Sequence, residues 1–133
     1  MNIMEEKKKI IIIEDDDSLR RVLKEALQKE NTFEILEAAN GKDALELIQQ
    51  FTPDLALLDI DIPVIDGLTL ARVMDEQKLT EKTKILFLTN SSDITKISVA
   101  SVIHGVLGYL IKSDWDMEQI VKQIKNHLLK ESK

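Results

Sequence analysis

Cysteine is absent from this chain of 133 residues, and with it any disulfide framework or thiolate metal site. Apolar runs are all short, so no segment is expected to span a bilayer. The stretch from Met1 to Lys9 is polar and charged rather than leader-like, which makes the cytoplasm the expected compartment. Positive charge is in deficit: 18 Lys and Arg stand against 24 Asp and Glu, a net charge of −6. That balance argues against direct nucleic-acid binding, and the one basic cluster, Lys7-Lys8-Lys9, reads as a solubilising tail. Repeats, linkers and low-complexity segments are lacking too. Proline occurs twice and glycine four times, so the few chain breakers are informative where they stand.

What remains is the profile of a soluble globular protein, 44% hydrophobic and 32% charged. The length fits one domain, expected over 9–131 behind a polar tail over 1–8. A chain of this size buries roughly two thirds of the surface it exposes when unfolded, enough for a self-sufficient core. The last helix runs into a short charged tail, which favours a stand-alone domain.

Short β-branched runs alternate with longer helical stretches. Ile10-Ile11-Ile12-Ile13 is continuous, short and β-branched, the pattern of a strand buried on both faces. Leu19, Val22, Leu23, Ala26 and Leu27 recur at helical spacing, with Asp17 or Ser18 as the cap. Phe33 to Ala38 makes a second strand. Asn40 caps a second helix with Ala44, Leu45, Ile48 and Phe51 inward, and Pro53 ends it. Leu55 to Leu58 is a third strand, Pro63…Asp66-Gly67 a turn, and Leu68, Ala71, Val73 and Met74 a third helix. Ile85 to Leu88 is a fourth strand. Ser91-Ser92-Asp93 offers caps for a fourth helix to about Ile103, whose apolar residues are expected to pack in the core. Tyr109 to Ile111 is the fifth strand, and Met117, Ile120, Val121, Ile124 and Leu128 stripe the last helix, with Trp115 packed at its start. Five βα units in series imply an α/β fold, a parallel sheet with helices on both faces.

In such sheets the functional site lies beyond the carboxyl ends of the strands. The residues there form a consistent set: Glu14 to Asp17 after the first strand, Asp59 and Asp61 after the third, Thr89 after the fourth and Lys112 after the fifth. Crowded carboxylates favour a hard cation such as Mg²⁺, which takes oxygen ligands. An Asp beside such a cation can attack phosphorus, while an ammonium and a hydroxyl receive the phosphoryl oxygens. Alone, the acidic run reads as a solvated loop; together, these parts suit phosphoryl transfer to Asp59. His104 and His127 sit apart from any second ligand.

The segments Ile12-Ile13-Glu14-Asp15-Asp16, Pro53 to Asp59, Pro63, Asp66-Gly67, Phe87-Leu88-Thr89 and Gly108 to Lys112 resemble the bacterial response-regulator receiver family, in register from about Lys9 to Leu129. The resemblance implies a flavodoxin-like, doubly wound five-stranded sheet in the order 2-1-3-4-5, flanked by five helices. It makes Asp59 the phosphoacceptor. Mg²⁺ would be held by Asp15 and Asp59, by Glu14 through water and by the Asp61 backbone carbonyl. Lys112 would pair with the acids, Thr89 would report phosphorylation and Tyr109 would be the switch aromatic. The implied donor is a phosphohistidine on a sensor histidine kinase or phosphotransfer protein, and the implied readout is a protein target at the fourth helix, fifth strand and fifth helix. The chain would catalyse only its own phosphorylation and dephosphorylation, as a monomer away from membranes and nucleic acid. It departs from the family at Ser113, where proline is usual, at Asn90, where a small residue is usual, and at Asp61, where many relatives are neutral.

Three rivals weigh less. A phosphatase of the haloacid-dehalogenase type would share the Asp59-Ile60-Asp61 pattern but not Pro63, and its acidic pair follows the nucleophile. A flavin carrier needs a hydroxyl- and glycine-rich first loop, where Glu14 to Asp17 would repel phosphate. A pseudo-receiver, an interaction module that is not phosphorylated, is the runner-up, although such modules typically lose the residues retained here.

Overall fold

Residues 7–129 are described in the computed structural model of the chain. The elements run β1 (Lys8–Ile13), α1 (Asp17–Gln28), β2 (Phe33–Ala38), α2 (Gly41–Phe51), β3 (Leu55–Leu58), α3 (Gly67–Glu76), β4 (Lys84–Thr89), α4 (Ile94–Ser101), β5 (Val106–Ile111) and α5 (Met117–Leu128). Among the described residues the sheet has five strands, all parallel, in the order β2-β1-β3-β4-β5. Positions 1–6 of the expected tail, and 130–131 of the expected domain, lie outside the described residues. The first strand begins two residues earlier than its isoleucine run, because Lys8 and Lys9 pair with Phe33 and Glu34 of β2.

The isoleucine run shows how the layers form. Successive side chains of a strand point to opposite faces. Ile11 and Ile13 accordingly pack with α2, α3 and α4 through Ala44, Ile48, Leu70, Met74 and Ala100. Ile10 and Ile12 pack with α1 and α5 through Leu23, Leu27, Ile120, Val121 and Ile124. Removing each such side chain from water is worth about 2 kcal/mol, and this two-faced burial is what a continuous apolar strand encodes.

Helix starts follow from side chains that accept otherwise unpaired amide hydrogens. Asn40 accepts from Asp43 N, Asp66 from Thr69 N and Asp93 from Thr95 N. Asp116 and Gln119 close a reciprocal capping box on α5. The cap of α1 is Asp16, not Asp17 or Ser18: Asp16 is extended, and its carboxylate accepts from Ser18 N and Leu19 N.

Three packing expectations are corrected. Val22 and Phe51 are exposed rather than inward; the one flanks the buried stripe of α1 and the other is the last residue of α2. The fourth helix stops at Ser101, and its apolar residues do not all pack. Ala100 and the following Ile103 reach the core, whereas Ile94 and Val102 are 76% and 83% exposed. Val102 is the C-cap that follows the eight-residue helix, and at about 100° per residue it falls across from Ala100, so the two cannot share the buried side. Trp115 does pack beside α5.

Candidate functional site

Strand register brings the chemistry together. Ile13 pairs with Leu58, so Glu14 and Asp59 leave the sheet side by side. Leu58 pairs with Phe87, and Thr89 with Ile111, so Thr89 and Lys112 emerge on the neighbouring strand ends. The order of the sheet reverses between β1 and β3, which is where a doubly wound fold opens a crevice.

Glu14 and Asp59 are buried, and a single ammonium serves both. Lys112 Nζ donates to Asp59 Oδ2 at 2.9 Å and lies 2.8 Å from Glu14 Oε1. The remaining oxygens are also occupied: Asp16 N donates to Glu14 Oε2 at 3.1 Å, and Asp61 N to Asp59 Oδ1 at 3.2 Å. Burial holds the Glu14 carboxyl above its ordinary value, against the lowering effect of Lys112 and the Asp16 amide. Burial alone would lower Lys112, but its bonds to Glu14 and Asp59 outweigh that and raise it, so the ammonium stays charged. Oxygens of Glu14, Asp15 and Asp59 all lie within 4.8 Å of one another, with Asp15 exposed at the rim. Three carboxylates against one ammonium leave a net negative, oxygen-rich site, the donor set of a hard divalent cation. The Asp61 carboxylate is not one of this trio, and it stands 3.9 Å from Lys96 Nζ.

The loop from Asp59 to α3 folds back tightly on the acceptor strand. Gly67 N donates to the Ile60 carbonyl at 2.8 Å. A Cβ on Gly67 would overlap the Asp59 carbonyl oxygen and stand 2.7 Å from Ile60 Cα, so only glycine fits. In the same loop Val64 adopts φ of 73°, a left-handed conformation that a β-branched side chain resists.

Thr89 is fully buried at the end of β4, and its hydroxyl accepts from Ser91 N at 3.4 Å. Tyr109, on the edge strand, is half-buried; its ring meets Phe87 with centroids 5.6 Å apart, and its hydroxyl donates to the Ser91 carbonyl at 3.0 Å. Thr89 and Tyr109 thus touch the same Ser91 backbone from two strands. Ser113 follows Lys112 in a short 3₁₀ turn, and no described peptide bond is cis. His104 is exposed and makes no part of the cleft.

One contact was not anticipated. The Arg20 guanidinium donates to the Glu14 carbonyl at 2.7 Å, to Asp17 at 2.7 Å and to Glu37 at 3.3 Å. The Asp17…Arg20 spacing of three, which places both on one helix face, was the available signal.

Comparison with known proteins decides the family. The response regulator receiver domain family matches residues 10–125. The chain belongs to the response-regulator receiver domain family. It is 30% identical over 110 residues to sporulation initiation phosphotransferase F of Bacillus subtilis, covering 83% of this chain and 85% of that protein. It is 31% identical over 117 residues to protein-glutamate methylesterase/protein-glutamine glutaminase 1 of Syntrophomonas wolfei, covering 86% of this chain but 32% of that protein. The chain thus spans about a third of the length of the methylesterase relatives it matches. Among solved structures, the chemotaxis response regulator CheY4 of Vibrio cholerae superposes with a TM-score of 0.80 at 26% identity, over 92% of this chain and 99% of that one. The phosphorylated cyanobacterial phytochrome response regulator RcpA gives 0.81 at 27%, over 96% and 97%. The receiver fold is the flavodoxin-like one expected, and the chain is a phosphorylation-controlled switch module of two-component signalling. No helix among the described residues is long and apolar enough to cross a membrane.

Proposed function

We propose that this receiver takes a phosphoryl group onto Asp59 from a phosphohistidine of a sensor histidine kinase or phosphotransfer protein, with Mg²⁺ bound beside it. The observation that carries this reading is the buried Asp59 carboxylate, 2.9 Å from the Lys112 ammonium and grouped with Glu14 and Asp15. An Asp59 oxygen attacks phosphorus in line with the departing imidazole nitrogen; the O–P bond forms, the N–P bond breaks, and the imidazole keeps the electron pair. Lys112 stabilises charge on the transferred group, and the Thr89 hydroxyl turns toward it once it has arrived. Mg²⁺ would be held by Asp15 and Asp59, by Glu14 through water and by the Asp61 backbone carbonyl, and would neutralise the acceptor and the phosphoryl oxygens.

The shared Ser91 contact supports Thr89 and Tyr109 as the reporting pair, since movement of Thr89 disturbs the segment to which Tyr109 is bonded. The readout surface is the face of α4, β5 and α5, where a downstream protein would dock. We propose that the folded unit begins at Lys8, which pairs with Phe33, one residue before the expected start, and that it lies in the cytoplasm as a monomer that contacts no nucleic acid and turns over no external substrate.

Intact mass after incubation with Mg²⁺ and acetyl phosphate, beside Asp59→Asn, tests the reading. A gain of one phosphoryl group by the wild type alone is expected. No gain in either protein, from acetyl phosphate or from a phosphorylated kinase, would favour the pseudo-receiver.

A further inference from the structure

The exposed member of the acidic trio is Asp15, and its carboxylate stands where the backbone on either side puts it. Following Asp15, the Asp16 amide is held by Glu14 Oε2 and the Asp16 side chain caps α1. Preceding it, the Glu14–Asp15 peptide is fixed through its carbonyl, which accepts from Arg20 at 2.7 Å. The same guanidinium is clamped by Asp17 at 2.7 Å on its own helix and by Glu37 at 3.3 Å on β2, and its side chain is 18% exposed. Lys24, 2.8 Å from Glu37, steadies that carboxylate in turn. A planar fork held at two corners presents its third donor in one direction.

From this geometry we infer that Arg20 is a positioning residue for the metal site: it locks the plane of the Glu14–Asp15 peptide and thereby aims the Asp15 carboxylate at the cation. The inference rests on the Mg²⁺ reading of the cleft given above. Arg20 touches neither the trio's carboxylates nor the reacting atoms in the contacts described, so its effect passes through the backbone.

Charge and geometry predict opposite signs here, which makes the inference sharp. Deleting a cation near an acidic site, if only charge mattered, would tighten Mg²⁺ binding. Losing the anchor of a ligand-bearing peptide would weaken it, by about tenfold on the scale seen when outer-shell partners of metal ligands are removed.

Calorimetric titration of Mg²⁺ into the wild type, Arg20→Ala, Arg20→Lys and Glu37→Gln, with an unfolding curve for each, separates the two. Expected is an Mg²⁺ Kd about tenfold higher for Arg20→Ala and partial recovery in Arg20→Lys, which keeps the charge but not the fork. Glu37→Gln, which leaves the bond to the Glu14 carbonyl, should lower stability while shifting the Kd less than twofold, roughly the limit of such a titration. An unchanged or lower Kd in Arg20→Ala would overturn the inference and leave Arg20 a structural ion-pair residue. Should Arg20→Ala not fold, the Kd of Arg20→Lys decides by the same criterion. Absence of Mg²⁺ binding by the wild type would sink the metal reading itself, and the role of Arg20 with it.

Discussion

At the carboxyl ends of β1 and β3, Glu14 and Asp59 are buried and share the Lys112 ammonium; by contrast, Ile94 at the start of α4 and Val102 just after its end stand largely in water. The first region is a network in which each group's position depends on its partners, so a single loss exposes the others. The second is a helix of eight residues with Ala100 as its one buried side chain, beside an edge strand that pairs on one side only. Stability is not uniform across a fold, and segments with little buried apolar surface move at least cost. A two-state switch needs both kinds of region: a rigid site that holds charge, and a loosely packed face whose arrangement a small free-energy difference can bias.

The contrast breaks most visibly at Lys112. Lys112→Met leaves two buried carboxylates facing each other without a cation, which is expected to lower stability by about 3 kcal/mol and the phosphorylation rate by about 10²-fold. Denaturant unfolding with and without Mg²⁺, and a phosphorylation time course, would check this; a loss under about 1 kcal/mol would mean the network is not cooperative. Gly67→Ala comes next, at about 2–3 kcal/mol, because the added methyl meets backbone of the acceptor loop rather than a side chain that can move. The same unfolding assay reads it.

Paired truncations sharpen the comparison within the α4 region. Ile103→Ala should cost about 2 kcal/mol and Ile94→Ala less than about 0.5 kcal/mol. Equal costs would erase the distinction between its buried and exposed sides. The smallest effect is a dependence on pH. The Lys24 ammonium, and then Arg20, hold the Glu37 carboxyl below its ordinary value of 4.5. A folded value below the unfolded one stabilises the fold above about pH 4.5, and that contribution fades as the pH falls through the depressed value. The stability difference between wild type and Glu37→Gln should therefore shrink on acidification below pH 4.5, and a difference constant from pH 3 to 7, roughly the range bracketing it, would refute the assignment.

Most of the cleft is legible in the sequence because strand ends carry it. Once the isoleucine run, Leu55 to Leu58 and Ile85 to Leu88 are strands of one parallel sheet, Glu14, Asp59 and Thr89 can only emerge at the same edge. What periodicity cannot carry is how much of a helix face the sheet has room to cover. Ile94, Val22 and Val102 are as apolar as their buried neighbours, and their exposure follows from helix length and placement. Arg20 escaped for a different reason. Its main contact is to a backbone carbonyl, and a carbonyl leaves no trace in the sequence. Asp16 outcompeted Asp17 and Ser18 as the cap of α1 because the chain is still extended there, a property of backbone angles and not of residue type.

On the proposed function, Asp59 itself becomes the acyl phosphate. Reduction of the phosphorylated chain with borohydride, which converts an aspartyl phosphate to homoserine, followed by peptide mapping, tests it directly. Homoserine at position 59, and nowhere else among the acids of the cleft, is the expected result. Homoserine at Asp15 or Asp61, with Asp59 recovered intact, would contradict the account.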